Sequence, residues 1–396
     1  MSFRDDSANS QRLRIAFVTT DHREHFKDYN NPQPYFGSAP KALLQGFRAM
    51  PNEVEVHVIS CLQKTPISSP NKLADNIYYH GLHVPNIGWM KTGYLGCIRA
   101  VRDKLQEIQP DIVHGQGTER DCAMCAVFSG FPNVLTIHGN MRMVAEFLKA
   151  KPLTYYWFAS RIERLCLWKT DGVVAISSYT QSNVAPYTKQ TWLVPNAVHS
   201  SFFNLPRRPD SPPRILCAAN TGSRKNQIGL IKALEPLAAT RPLKLILAGG
   251  GSKADVYFRN FQQLVGERPW CEYLGALDQN TLQNEMSRAT MGILPSFEDN
   301  CPMVILEAAA AGLPFAASAI GGIPDLIAHG DNGMLFSPDK SEEIQSAVEY
   351  LLRNSEARER LAACAHRKAE ARCHPLVVAR DHLRIYMRVT AQNEHR

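Results

Sequence analysis

Between Pro295 and Gly312 the chain reads P-S-F-E-D-N-C-P-M-V-I-L-E-A-A-A-A-G. Three carboxylates, Glu298, Asp299 and Glu307, stand in or just beyond a polar loop that leads into an apolar helical run. A helix N-terminus offers unpaired N–H groups to an anion or to sugar hydroxyls. Pro302, at the expected helix start, gives up an N–H that would be orphaned anyway. Asp299 and Asn300 stand where capping residues stand. Glu307 follows along the same helix, where a carboxylate can accept two hydrogen bonds from a ribose diol. The plain alternative makes Asp299 an N-cap and Glu307 a partner of the helix dipole.

A second candidate is N-T-G-S-R-K-N-Q, Asn220 to Gln227, after one expected strand and before a helix. Arg224 and Lys225 there can hold a diphosphate, Arg through its fork and Lys as a point charge. Leu247 to Ser252, L-A-G-G-G-S, ends another strand, and Gly249 and Gly250 permit a tight turn or close approach of a ligand. In the first half, Gly37 and Ser38 form a small loop ahead of a helix, and His138 sits at the carboxyl end of a strand. Glu119 and Arg120, in H-G-Q-G-T-E-R, are placed to meet a second substrate.

These residues need elements to carry them. Short β-branched runs at Leu13–Thr19, Glu53–Ser60, Asp111–His114, Asn133–Ile137, Gly172–Ile176 and Thr191–Val194 alternate with helical patterns. The alternation restarts with strands at Arg214–Ala218, Leu243–Ala248, Cys271–Leu274, Met291–Pro295 and Pro314–Ala317. Such alternation predicts βαβ units and parallel sheets. The break between the halves is placed at Leu205–Pro213, which is Pro-rich and charged. The expected organisation is a polar tail (1–11), an N-terminal Rossmann-like domain (12–204), a C-terminal Rossmann-like domain (205–374) and a final helix (375–396) returning to the first domain. Two doubly wound α/β domains facing each other leave a cleft at the carboxyl ends of their strands, where such sheets bind ligands.

Bulk properties agree. The chain has 396 residues, too many for one comfortable core. No apolar run is long enough for a transmembrane helix, and the polar start has no secretory h-region. Ten cysteines in a chain of this size read as small core residues in a reduced, cytoplasmic compartment. Cys122 and Cys125 form a lone C-x-x-C that nothing nearby completes as a zinc site. The net charge of +7 suits an anionic ligand or an anionic membrane, and without a dense Lys/Arg run nucleic acid is not expected. Residues 146–169 mix aromatic and basic side chains; the preferred reading packs the aromatics on the core, with Glu146 and Glu163 diluting a charged outer face.

The acidic loop, with Glu307-Ala308, Ala310, Gly312 and Pro314 behind it, resembles the E-x7-E signature and tail of family 4 glycosyltransferases. Gly321-Gly322-Ile323-Pro324-Asp325 and Gly330-Asp331-Asn332-Gly333 resemble further elements of that family. Three departures stand out. The first acidic position is Asp299, with Glu298 one residue out of register. Asn220 stands where the family often places its Arg. Gly37 replaces a double glycine. The resemblance implies a GT-B fold and a retaining transferase that moves a sugar from a nucleotide-diphosphate donor, UDP- or GDP-linked. The acceptor would be a glycan, a lipid-linked molecule or a small molecule. It implies catalytic roles for His138, Arg224, Lys225, Asp299 and Glu307. Donor contacts would come from Gly37, Ser38, Gly249, Gly250, Glu298, Asn300, Cys301, Pro302, Met303 and Val304. No metal site or further cofactor is expected, because no D-x-D pair occurs in the chain. The expected location is cytoplasmic, with a peripheral contact at the inner membrane face as a variant of that reading. The competing readings are a nucleotide-sugar epimerase on the same architecture, and a GT-B scaffold that binds without catalysis.

Overall fold

The computed structural model describes residues 12–394, so the polar tail expected over 1–11 lies outside the described residues. The chain forms two compact units. Unit 1 takes residues up to Ile176, then Thr180–Val194 and the chain from Val378; unit 2 takes Ser177–Tyr179 and Pro195–Val377.

Unit 1 is built on eight strands: β1 (Leu13–Val18), β2 (Val54–Leu62), β3 (Lys72–Ala74), β4 (Ile77–His83), β5 (Ile112–Gln116), β6 (Asn133–Ile137), β7 (Gly172–Ala175) and β8 (Thr191–Leu193). They lie in the order β3-β4-β2-β1-β5-β6-β7-β8. Only β3 is antiparallel to its neighbour. The connecting helices are α1 (His22–Phe26), α2 (Ser38–Arg48), α3 (Leu95–Ile108), α4 (Cys122–Val127), α5 (Met141–Phe147), α6 (Tyr155–Lys169) and α7 (Ser178–Val184). Strands covered on both faces read as continuous apolar runs, and Ile15, Ala16, Phe17, Val134 and Leu135 are fully buried.

Unit 2 has six parallel strands: β9 (Arg214–Ala218), β10 (Lys244–Ala248), β11 (Cys271–Tyr273), β12 (Met291–Leu294), β13 (Phe315–Ser318) and β14 (Met334–Phe336), in the order β11-β10-β9-β12-β13-β14. Its helices are α8 (Gln227–Thr240), α9 (Val256–Gly266), α10 (Gln279–Arg288), α11 (Met303–Ala310), α12 (Ser341–Arg353) and α13 (Ser355–Cys373). The last helix, α14 (Pro375–Glu394), clusters with unit 1 from Val378 onward.

In both sheets the winding reverses beside one strand. In unit 1, β1 pairs with β2 on one side and β5 on the other; in unit 2, β9 pairs with β10 and β12. Loops at the carboxyl ends of strands flanking such a reversal diverge and leave room for a ligand. In unit 2 these are the loops after β9 and β12, which carry Arg224–Lys225 and Glu298–Asp299.

The structure moves the expected break. The chain passes between units at Val194–Pro195, and Leu205–Pro213 belongs to unit 2. That segment is bound along α10 and the residue after it. The N–H of Arg208 donates to the Ser287 carbonyl (2.9 Å) and that of Asp210 to the Arg288 carbonyl (2.9 Å). The Arg207 guanidinium donates to the Met286 and Ala289 carbonyls. Prolines and charges marked it as a linker, but its polar groups are held by side chains and carbonyls of unit 2.

Candidate active site

The loop after β9 turns through Gly222 into a short 3-10 turn, Ser223–Lys225, before α8. The loop after β12 lies against it: the Phe297 N–H donates to the Arg224 carbonyl (2.8 Å). Two ion pairs join the loops side by side. Arg224 Nη1 meets Glu298 Oε2 at 2.9 Å, and Lys225 Nζ meets Asp299 Oδ2. Ser296 Oγ also donates to Asp299 Oδ2 (3.1 Å). The expected cations and both candidates for the first acidic position therefore converge, each cation with its own carboxylate.

The capping expectation is corrected. The N-cap of α11 is Pro302, whose side chain caps nothing, and Met303 is the first helical residue. Asp299 is occupied by Lys225, while Asn300 Oδ1 accepts from Ser177 Oγ (2.5 Å). The amides at the start of α11 are thus not consumed by a side-chain cap. Cys301 is buried, and desolvation raises its thiol pKa. Val304 sits in the first turn of α11.

Glu307, on the same helix, is buried and has no side-chain partner among the described residues. Desolvation alone pushes its pKa up to about 7. A buried carboxylate without a donor is costly in isolation. A vicinal diol would satisfy it.

The loop after β10 approaches the β9 loop closely. Gly249 has φ +138°, and a Cβ there would collide with the Ala219 carbonyl oxygen, so only glycine fits. The Gly250 N–H donates to Asn220 Oδ1 (3.2 Å), and the Thr221 N–H donates to the Gly250 carbonyl (2.7 Å). Asn220 thus ties the glycine loop down. Gly321 and Gly322 play the same steric part behind the acidic loop: a Cβ on either would meet the Asp299 or Asn300 carbonyl. Asp325 fixes that wall, accepting from Ser178 Oγ (2.6 Å).

The remaining expected residues lie in unit 1. Gly37 is the N-cap of α2, and Ser38 is its first residue. His138 follows β6, with Nε2 2.9 Å from Gln116 Oε1. The ring is half-buried, and desolvation, helped by His382, lowers its pKa to about 4. The neighbouring Gly139 N–H donates to Glu119 Oε1 (2.8 Å), and burial raises Glu119 to about 7. Arg120 stands 3.7 Å from Glu24.

Two expectations about unit 1 are corrected. The aromatics of residues 146–169 do not fill the core: α6 buries Ala159, Glu163, Cys166 and Leu167, whereas Trp168, Tyr155, Phe147 and Leu153 are exposed. Glu163 does not dilute a basic face, because it is fully buried and accepts from Thr118 Oγ1 (2.9 Å) and the Met141 N–H (2.8 Å). The C-x-x-C also divides. Cys122 Sγ lies 3.7 Å from Thr20 Oγ1, while Cys125 joins Cys61 and Asp121 in a buried group whose spacing could hold a metal ion.

Comparison with known proteins decides the family. Residues 201–368 match the model for glycosyl transferases group 1, and residues 41–202 match the model for Glycosyltransferase Family 4. The chain belongs to the family 4 glycosyltransferases. It is 26% identical to the glycogen synthase of Mycobacterium tuberculosis over 272 residues, 66% of this chain and 64% of that protein. Its fold is similar to sucrose-phosphate synthase from Thermosynechococcus elongatus (TM-score 0.76, 18% identity, 96% of this chain and 100% of that one). It is also similar to Anabaena HepE in complex with UDP-glucose (TM-score 0.67, 16% identity, 93% and 98%). These likenesses show the GT-B fold. The chain spans less than two thirds of the length of the first curated relatives it matches.

For this glycosyltransferase family member, the departures noted in the sequence acquire a structural meaning. Asn220, at the usual Arg position, anchors the glycine loop instead of supplying a charge. Asp299 faces Lys225 as directly as Glu298 faces Arg224. Gln116 was not foreseen as a site residue. It lies in the H-G-Q-G-T-E-R stretch, where attention fell on Glu119 and Arg120, and its further signal is its place at the end of the strand next to the one that carries His138.

Proposed function

We propose that this protein transfers a sugar, with retention of anomeric configuration, from a nucleotide-diphosphate donor to an acceptor hydroxyl, without a metal on the diphosphate. The observation that carries this reading is the convergence of Arg224, Lys225 and the uncapped start of α11 at the winding reversal of unit 2, with the unpartnered Glu307 on the same helix.

Cations and helix-end amides stabilise the charge that builds on a leaving diphosphate. For Lys225 and Arg224 to serve it, the diphosphate competes with Asp299 and Glu298, and those carboxylates turn to the sugar hydroxyls. Glu307 accepts from the ribose diol. Gly249 and Gly250 admit the donor backbone-close, and Gly37, Ser38 and His138 serve the sugar and acceptor side. The bond from the anomeric carbon to the diphosphate oxygen breaks, and the electron pair leaves with that oxygen. The acceptor oxygen bonds to the same face, and its proton passes to the departing phosphate. The complex of Anabaena HepE with UDP-glucose supports a uridine-linked donor.

The exposed aromatics of α6 extend the proposal to a peripheral membrane contact. Arg161 stacks over Trp157 (4.9 Å), and Trp168 lines a surface pocket of about 650 Å³ with Arg164, Lys169, Tyr187 and Lys189. Aromatic rings beside cations suit an anionic interface. The test of the main reading is incubation with UDP- and GDP-sugars, simple sugar acceptors and EDTA, followed by NMR of the product. Release of nucleoside diphosphate with a product of the donor's anomeric configuration is expected. An inverted product, or release only after magnesium is restored, contradicts it.

A further inference from the structure

Behind His138 runs a buried chain of polar side chains that reaches the last helix. Tyr386, on α14 and fully buried, has its hydroxyl 2.5 Å from His114 Nδ1. His114, on β5, places Nε2 2.8 Å from Thr136 Oγ1. Gln116, two residues along β5, has Nε2 2.9 Å from His114 Nε2 and 3.2 Å from His114 Nδ1. Its Oε1 lies 2.9 Å from His138 Nε2. His382, one turn before Tyr386, stacks on His114 with ring centroids 5.4 Å apart. All these residues belong to unit 1.

The chain dictates a proton arrangement. His114 is fully buried and is held neutral by desolvation, with His382 and His138 adding to the effect. A neutral imidazole has one acceptor nitrogen. Both His114 nitrogens lie within reach of the Gln116 amide nitrogen, so either tautomer gives that NH2 an acceptor. The amide oxygen points at His138 Nε2, and because a carbonyl oxygen only accepts, His138 answers by donating from Nε2. We infer that Tyr386, His114 and Gln116 are positioning residues that hold His138 as its Nε2–H tautomer and fix its ring plane, making the docked α14 part of the site's preorganisation. The inference rests on the role given to His138 in the proposed reaction. Its structural half does not depend on that reaction.

The ring nitrogens of histidine distinguish tautomers by NMR, so the test uses the full chain labelled with 15N-histidine, with His138 assigned by its loss in His138→Asn. The wild-type protein should show His138 protonated at Nε2. Gln116→Met removes both amide bonds at similar size and should give a mixture of tautomers. Gln116→Glu keeps an acceptor facing Nε2 and should retain the Nε2 proton. Tyr386→Phe, which loses only a hydroxyl, should shift the His138 signals in the direction of Gln116→Met. Turnover should fall about tenfold in kcat for Gln116→Met, the low end of the loss when a partner that orients a site histidine is removed, with the donor KM changed less than twofold. His138 protonated at Nδ1 in the wild type, or unmoved in both Gln116→Met and Tyr386→Phe, overturns the inference. A shifted tautomer with unchanged kcat overturns its functional half. If the wild type transfers no sugar, the tautomer result still stands or falls alone, and only the proposed reaction is lost.

Discussion

Lys225 and Glu307 carry opposite halves of the donor-site argument. Lys225 pairs with Asp299 in the free protein and is expected to turn to the diphosphate in the complex. Lys225→Ala should lower turnover roughly 100- to 1000-fold, the usual cost of removing one preorganised charge stabiliser. Its circular dichroism spectrum should not change. Near-normal turnover would remove the residue from the mechanism. Glu307 makes a pH prediction. Its folded pKa of about 7 lies above the ordinary carboxyl value, so the folded protein holds a proton that the unfolded chain has lost. Stability from this group is full below about pH 4.5 and disappears as pH rises through 7. Relative to Glu307→Gln, the wild type should lose about 3 kcal/mol between those limits, at 1.36 kcal/mol for each pH unit. Denaturant titrations of both proteins at pH 5 and pH 8 check this; parallel pH curves would contradict it. A ribose diol bound to Glu307 favours the ionised form, so nucleotide binding near pH 6.5 should release a proton, detectable by calorimetry in buffers of different ionisation enthalpy.

Among the elements, the glycine loop after β10 is the least tolerant. Gly249→Ala places a methyl against the Ala219 carbonyl in a backbone region that side chains avoid. A cost of about 2 kcal/mol or more is expected, with loss of nucleotide affinity because Asn220 no longer grips Gly250. A thermal midpoint equal to wild type would mean the loop relaxes freely. Helix α6 predicts an interface. Vesicles rich in anionic lipid should co-sediment the protein at low salt, and Trp168→Ala should weaken the binding; equal binding to neutral vesicles would count against the contact. The contrast between these elements shows what the sequence makes legible. Strands β1, β6 and β9 follow from β-branched runs buried on both faces, and α11 from an apolar run after a polar loop. Helix α13 escaped notice because its buried side is Leu361, Ala362, Ala365, Ala369 and Cys373, too small to stand out from its charged neighbours. Strands β3, β4 and β14 are short or sit toward a sheet edge, with partly exposed patterns. The aromatics of α6 depart from the expected core packing because periodicity locates an apolar face without saying whether anything covers it.

For the whole molecule, motif spacing makes the loops after β9 and β12 legible, since each lies within a single strand-to-helix connection. It did not reveal Tyr386, His114 and Gln116, whose partnership spans 272 residues and exists only after α14 docks on unit 1. Nor did it locate the passage between units, because Leu205–Pro213 has a linker's composition and a packed segment's hydrogen bonds. The whole chain is proposed as a receptor for a nucleoside diphosphate. Its most direct test is thermal unfolding with UDP, GDP, ADP and dTDP at millimolar concentration, in EDTA and then in magnesium. A ligand at 100 times its Kd stabilises the folded state by about 2.7 kcal/mol. The account predicts that one diphosphate, UDP first among them, raises the midpoint in EDTA, and that Lys225→Ala and Glu307→Gln blunt the rise. No shift with any nucleotide, or a shift that requires magnesium, would contradict it.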